Sequence, residues 1–173
     1  PEAKPDARTA AIAAAQAGGW GHRELVIRVN GPGSEWGADD LAAVATSGAD
    51  AVLVPTISSP DDIAACHAAL ESAPAAMQLW AMIETCAAIG QLDAIAAMGR
   101  GTRLSLFVMG VNDLAKEMRA RLTPERTPFL PMLSLAVAAA RAHGLSVLDG
   151  VCNEFRDMAI FRTEAEQGLL FGF

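Results

Sequence analysis

Residues 79–98 read LWAMIETCAAIGQLDAIAAM, a short apolar run followed by an alanine-rich segment. Every residue from 79 to 83 is apolar, which is typical of a strand buried on both faces of a parallel sheet. Residues 86–98 then predict a helix. Glu84 directly follows the apolar run. This stretch therefore predicts one strand–helix unit with a carboxylate at the end of its strand.

The same unit recurs along the chain. Four more strand-length apolar runs are residues 24–29, 51–55, 104–109 and 145–148, and a helical pattern follows each of them. The clearest helices are predicted at residues 4–16, 39–47, 113–121, 131–143 and 153–167, with a further helix starting at the Ser-Pro-Asp-Asp sequence of residues 59–62. Alternation of strands and helices without hairpins favours an α/β fold with a parallel sheet.

Strand spacing of roughly 25 to 40 residues fits the repeat of a TIM (β/α)8 barrel, which needs eight units. Five units are visible in 173 residues, so the sequence predicts a single, incomplete barrel domain over residues 1–173. A doubly wound open sheet is the alternative, but such sheets usually carry a GxGxxG turn after the first strand. The sequence has no such turn.

Composition excludes several classes of function. The formal net charge is −7 and no basic patch is visible, which argues against a nucleic-acid partner. No apolar run is long enough for a transmembrane helix and no signal peptide is visible, so we expect a cytoplasmic protein without a membrane partner. The three cysteines are widely spaced and are expected to be reduced, and the three histidines have no ligand spacing.

Polar side chains fall at the ends of the predicted strands. Arg28, Glu84, the pair Asn112–Asp113 and Asp149 each lie at or just after the carboxyl end of an apolar run. In a parallel barrel these ends meet at one face, where the active site lies. Each acid also has a structural interpretation, because it could stabilise a helix N-terminus or cap a turn. Arg28 could equally neutralise a structural acid.

Two carboxylates without cysteine or histidine beside them suit a hard cation. Magnesium takes one or two protein carboxylates and fills its octahedron with water or substrate oxygens. An arginine nearby could hold a substrate carboxylate with two parallel hydrogen bonds. The glycine-rich loop at residues 30–37 lacks the ending of a P-loop. It could place amides or Trp36 over the site, or Trp36 could simply anchor the loop.

The chain resembles the HpcH/HpaI aldolase and citrate lyase family, and within it the citrate lyase beta-subunit-like CoA-ester lyases. The resemblance follows, in order, the segments VIRVN (26–30), WGADDL (36–41), MIET (82–85), GVNDLAKE (110–117) and LDGV (148–151). It implies a magnesium-dependent TIM-barrel lyase, commonly a homotrimer. Such an enzyme cleaves or forms the carbon–carbon bond that joins a 2-oxo acid to an acetyl thioester. Its substrate is a 3-hydroxy acyl thioester such as citryl-CoA or malyl-CoA, or the corresponding acyl-carrier thioester.

The resemblance also implies residue roles. Glu84 and Asp113 match the metal ligands, and Arg28 matches the arginine that binds the oxo acid. The backbone of Gly110, Val111 and Asn112 is expected to bind the substrate carboxylate. Arg28 and Asp149 are the candidate catalytic residues.

The sequence departs from the family in three places. Residues 55–58 read PTIS, where the family usually has a Pro-Lys pair and a nearby glutamate. The family's first two strands, with an Asp-Leu-Glu-Asp motif, would precede residue 1, and its last strand, with an Ile-His-Pro motif, would follow residue 173. We therefore expect residues 1–173 alone to be poorly soluble or molten, and catalytically inactive. A pyruvate aldolase acting on free 2-oxo acids and a non-catalytic acyl-binding or oxo-acid-binding subunit remain as alternative functions.

Overall fold

A computed structural model describes residues 3–173, and five strands alternate with helices over this range. The strands are β1 (Val26–Arg28), β2 (Ala51–Val54), β3 (Gln78–Ile83), β4 (Leu104–Met109) and β5 (Ser146–Leu148). They form one sheet in the order β1-β2-β3-β4-β5, and each neighbouring pair is parallel. The predicted parallel α/β fold is confirmed, with each strand inside or within one residue of its apolar run.

The helices lie between and around these strands. They are α1 (Lys4–Gln16), α2 (Gly37–Val44), α3 (Pro60–Ala69), α4 (Cys86–Ile89), α5 (Leu92–Ala97), α6 (Val111–Met118), α7 (Leu130–Ala142) and α8 (Met158–Phe171). A short 3-10 turn, Met98–Arg100, follows α5. The predicted start of α3 is confirmed, because Ser59 and Asp62 form a reciprocal capping box.

The two faces of the sheet are covered differently. Alternate strand residues such as Val52, Leu79 and Phe107 pack with the helices in one large core. The residues between them, represented by Trp80 and Leu106, form a smaller cluster made of strand residues only. A sheet in sequential order with its helices on one face is an arc of a (β/α) barrel, and its helix-free face is the barrel interior. A doubly wound sheet would carry helices on both faces, so that alternative is wrong.

The boundaries of four predicted helices are wrong. The helix predicted at residues 39–47 runs over Gly37–Val44. The other three differ for local reasons. The helix predicted at residues 86–98 is divided into α4 and α5 by Gly90 and Gln91. The helix predicted at residues 113–121 starts earlier, at Val111, and ends at Met118, because the next residue, Arg119, adopts a left-handed conformation. The helix predicted at residues 153–167 runs instead over Met158–Phe171, because the Asp157 side chain caps it by accepting from the N–H groups of Ala159 and Ile160.

None of the helices that the structure describes is long and apolar enough to cross a membrane.

Candidate active site

The site predicted from the strand ends is built mainly around Glu84. Ile83 is in register with Met109, and the Gly110 N–H donates to the Ile83 carbonyl over 2.9 Å, so Glu84 lies beside Gly110. This register depends on a shift between β3 and β4, where Leu79 pairs with Leu104 but Trp80 pairs with Leu106. An irregularity of this kind redirects the residues that follow it in a strand.

The Glu84 side chain is buried and hydrogen-bonded. The residue is only 4% exposed. Its Oε1 accepts a hydrogen bond from the Thr56 N–H over 2.8 Å. Burial raises the pKa of Glu84, the Thr56 N–H opposes this rise, the nearby Asp113 carboxylate adds to it and Arg28 opposes it. Asp113 and Arg28 therefore both lie within electrostatic reach of Glu84, as predicted.

Asp113 supplies the second carboxylate. It lies in the first turn of α6, directly after β4, and is exposed. The Asp113 carboxylate disfavours the ionised form of Glu84, and a divalent cation bound between the two would favour it. Among residues 3–173 no group of three or more histidine, cysteine or acidic side chains converges on one point. The pair therefore fits magnesium, which needs few protein ligands, better than a transition metal.

Gly110 makes room for the Glu84 side chain. A Cβ at this position would overlap the Cβ of Glu84 and would lie 2.6 Å from its Oε2. Oε1 is bonded to Thr56, so Oε2 is the oxygen that faces Gly110. A glycine is required here because two chain segments approach each other closely.

Gly110→Ala is expected to displace the Glu84 carboxylate and to lower the free energy of unfolding by about 1–3 kcal/mol, the usual cost of overpacking. Calorimetric titration with Mg²⁺ should show weaker binding than in the native protein, and thermal unfolding should show the loss of stability. Gly101→Ala is the control, since a Cβ at Gly101 meets no atom within 4 Å. Native magnesium affinity in Gly110→Ala would mean that Glu84 does not depend on this contact.

Arg28 lies on the barrel interior. Ile27 packs against the outer core and Val26 against the interior cluster, so Arg28, two residues after Val26, faces inward. It is exposed at the end of β1, where Arg28 pairs with Leu53 of β2. The guanidinium is thus on the same side of the sheet as Glu84 and able to meet a substrate there.

Only two of the three backbone amides predicted to bind the substrate carboxylate are available for it. The Gly110 N–H is already bonded to Ile83, and this leaves the amides of Val111 and Asn112 in the first turn of α6. Helix geometry supplies no acceptor for first-turn amides, so these two can meet an anion. The Asn112 side chain is engaged elsewhere, since it exchanges two 2.9 Å hydrogen bonds with Asn153.

Asp149 lies at the end of β5, as predicted, but its carboxylate is already paired. Both oxygens accept from Arg126 Nη1, at 2.7 and 2.8 Å. Arg126 Nε donates in turn to Gln167 of α8 over 2.8 Å. The Arg126 side chain is 7% exposed and the Asp149 side chain 20%. This geometry ties α8 to the sheet, while the catalytic role of Asp149 stays a prediction.

The glycine-rich loop at residues 30–37 is fastened to α1. Buried Asp40 accepts from Arg8 Nε over 2.6 Å and from the Asn30 N–H over 3.0 Å. Burial opposes ionisation, but these hydrogen bonds lower the pKa of Asp40 below its ordinary value. Lys4 lies 5.6 Å from the centre of the Trp36 ring. The loop is therefore anchored partly by Trp36, which agrees with the structural interpretation of this residue.

The cysteines and histidines have ordinary surroundings. All three cysteines are free thiols, and burial raises the pKa of Cys66 to about 11. Of the others, Cys86 is exposed and Cys152 is half-buried. His67 accepts from the Arg103 N–H, and His143 pairs with Asp93. None of the three histidines lies at the carboxyl end of a strand.

Sequence reasoning missed Thr56, Arg126 and Arg8. Each acts through a partner at least 23 residues away. Asp40 lies in the first turn of α2, within the segment WGADDL, and nothing in this segment indicates that its partner is an arginine of α1. Thr56 stands out in the sequence only because the family usually has a lysine there.

The chain has relatives among known proteins. The (3S)-malyl-CoA thioesterase of Cereibacter sphaeroides is 47% identical over 154 residues, which are 89% of this chain and 52% of that protein. Citrate lyase subunit beta of Escherichia coli is 31% identical over 157 residues, covering 87% of this chain and 51% of that protein. The chain thus spans about half the length of these curated relatives.

Solved structures share the fold. The citrate lyase beta subunit of Mycobacterium tuberculosis, complexed with oxaloacetate and magnesium, superimposes with a TM-score of 0.80 at 23% identity. The superposition covers 99% of this chain and 73% of that chain. This likeness confirms the predicted barrel architecture, of which the five strands form one arc.

The family match runs over residues 1–173, the whole of the sequence. Because this match covers the whole sequence and two relatives exceed 30% identity, the chain belongs to the HpcH/HpaI aldolase/citrate lyase family.

Proposed function

We propose that this chain carries the central part of a magnesium-dependent active site that acts on a malyl-type CoA thioester. The observation that carries the proposal is the meeting of buried Glu84 with Asp113 and Arg28 at the carboxyl ends of parallel strands in one sheet. Two acids and one arginine at this end of a barrel suit a substrate that binds through a metal and a carboxylate.

Glu84 and Asp113 would hold the magnesium ion. When bound, Mg²⁺ would act as a Lewis acid on the oxygens of a 2-oxo or 2-hydroxy acid. Magnesium accompanies oxaloacetate in the Mycobacterium tuberculosis structure that shares this fold, which supports the same assignment here. Glu84 is suited to this role because its carboxylate is fixed by Thr56 and Gly110 before any cation arrives.

Arg28 and the first turn of α6 would hold the carboxylate of the substrate. The guanidinium offers two parallel N–H groups, which match a carboxylate in geometry as well as in charge. The amides of Val111 and Asn112 add the positive end of the α6 dipole. Together they explain how a chain with a net charge of −7 would bind an anionic substrate.

Two reactions of the thioester substrate are candidates: hydrolysis of the thioester bond and cleavage of the carbon–carbon bond. Hydrolysis would convert malyl-CoA and water into malate and free CoA, and it is favoured by the 47% identity to a malyl-CoA thioesterase. Carbon–carbon cleavage would give glyoxylate and acetyl-CoA. It is the second candidate, predicted from the family motifs and supported by the 31% identity to a citrate lyase subunit.

A pyruvate aldolase and a non-catalytic binding subunit both have less support. An aldolase of the HpcH branch relies on a histidine at a strand end, and none of the histidines in residues 3–173 lies there. A non-catalytic binding subunit is disfavoured because the relatives compared above carry the names of enzymes. Trimeric assembly stays a prediction.

The test is an assay of the purified full-length protein, of which these 173 residues span about half the length of the curated relatives, with malyl-CoA, citryl-CoA and methylmalyl-CoA, each with Mg²⁺ and with excess EDTA. Free CoA measured with a thiol reagent, together with malate, would support hydrolysis. Glyoxylate trapped as its phenylhydrazone, together with acetyl-CoA, would support cleavage of the carbon–carbon bond. Absence of magnesium-dependent turnover with all three thioesters would contradict both.

Arg28→Lys is expected to weaken binding of a 2-oxo acid by about 1.5–3 kcal/mol, the range for a hydrogen bond to a charged group. Lysine keeps the charge but loses the planar fork, so binding should fall although the electrostatic field remains. The dissociation constants of glyoxylate and oxaloacetate, measured with Mg²⁺ present, check this. The control is Arg23→Lys, an exposed arginine before β1. Native affinity in Arg28→Lys would make Arg28 a structural residue.

A further inference from the structure

Thr56 has a backbone conformation that its residue type disfavours. It lies two residues after β2 with φ of 56°, in the left-handed region. A β-branched residue there is an outlier, because its side chain collides with the backbone. Such outliers persist only where surrounding contacts impose them, and they concentrate at functional sites.

The contacts that impose the conformation converge on Glu84. The Thr56 N–H donates to Glu84 Oε1 over 2.8 Å, and the Thr56 hydroxyl donates to the Pro55 carbonyl over 2.8 Å. Gly31 approaches the Thr56 hydroxyl so closely that a Cβ there would overlap it. Ser58 Oγ lies 2.9 Å from the hydroxyl of Thr85, the residue next to Glu84.

The direction of the Thr56 N–H depends on this strained conformation. If the peptide plane between Pro55 and Thr56 turned over, φ of Thr56 would return to the extended region. The same rotation would point the N–H away from Glu84. The left-handed conformation and the hydrogen bond to Oε1 are therefore two aspects of one arrangement.

We propose that Thr56 is a positioning residue whose left-handed backbone fixes the rotation of the Glu84 carboxylate, with Oε1 bonded to Thr56 and Oε2 kept over Gly110 as a ligand for the cation. This inference rests on the proposed magnesium site. What matters at residue 56 is the ability to adopt a left-handed conformation, and the side-chain hydroxyl serves only to support it.

The test compares Thr56→Val with Thr56→Asn. Valine keeps the size and β-branching but loses the hydrogen bond to Pro55, so the peptide plane should turn over. Asparagine tolerates the left-handed region far better. Titration calorimetry with Mg²⁺ should show at least about tenfold weaker binding for valine, as for other lost partners of metal ligands. Asparagine should bind within about twofold of the native protein.

The outcomes separate this inference from the proposed function. Equal losses in both variants would make the hydroxyl the cause, and native affinity in both would make Thr56 irrelevant, so either result overturns the inference. A lower melting temperature of metal-free Thr56→Val with unchanged affinity would leave only a structural role, which also overturns it. If the valine variant does not fold, Thr56→Ala against Thr56→Gly gives the same comparison. Native affinity in Glu84→Gln would contradict the magnesium site itself.

Discussion

In the full-length protein, Glu84→Gln is expected to abolish magnesium-dependent turnover and to leave the fold intact. Glutamine has the shape of glutamate and can still accept from the Thr56 N–H, so packing should not change. It lacks the charge that a hard cation requires. Asp113→Asn should have the same effect, because the two carboxylates act as a pair.

Stability measurements should show that the loss concerns the metal and not the fold. Burial raises the pKa of Glu84, so its ionised form is penalised in the folded protein at neutral pH. The amide carries no such penalty. Metal-free Glu84→Gln should therefore unfold at a temperature no lower than that of the native protein. Glu71→Gln, an exposed position between α3 and β3, is the matched control for magnesium titration. Unchanged magnesium affinity in both Glu84→Gln and Asp113→Asn would contradict the metal assignment.

Arg126→Met is expected to lower the free energy of unfolding by about 3–5 kcal/mol, because it leaves the largely buried Asp149 carboxylate without its partner. In a chain of this size that corresponds to a fall in Tm of roughly 10 °C. Thermal unfolding checks the effect, with Arg121→Met, an exposed arginine, as control.

The double variant Arg126→Met with Asp149→Leu distinguishes the structural role of Asp149 from its predicted catalytic role. Replacing a buried ion pair by apolar side chains often restores stability, so the double variant should regain most of the loss. Turnover that remains absent after stability has returned would support the catalytic role predicted for Asp149. Turnover that returns with stability would make the pair purely structural. A change of less than about 1 kcal/mol in Arg126→Met would contradict the structural account itself, since exposed ion pairs contribute no more than that.

The sequence alone determined the architecture and the centre of the site. The five apolar runs are short and apolar on both faces, and helical patterns alternate with them, which is typical of a covered parallel sheet. Once the sheet is parallel, the carboxyl ends of its strands must meet at one edge, and Glu84 and Asp113 follow neighbouring strands. Their proximity was therefore predictable from position along the chain. Helix boundaries were less predictable, because caps such as Asp157 and the left-handed Arg119 are local choices that periodicity does not reveal.

Only the tertiary structure decided how the acids are held and which of them is already paired. Asp149 meets Arg126 and Glu84 meets Thr56 across 23 and 28 residues, through loops whose paths no periodic pattern specifies. The conformation of Thr56 in particular runs against its own preference, because packing of Gly31 and the hydrogen bond to Glu84 outweigh the local energy of a β-branched residue. Local preference governs the sequence pattern, whereas contacts between distant segments govern the orientation of each functional group.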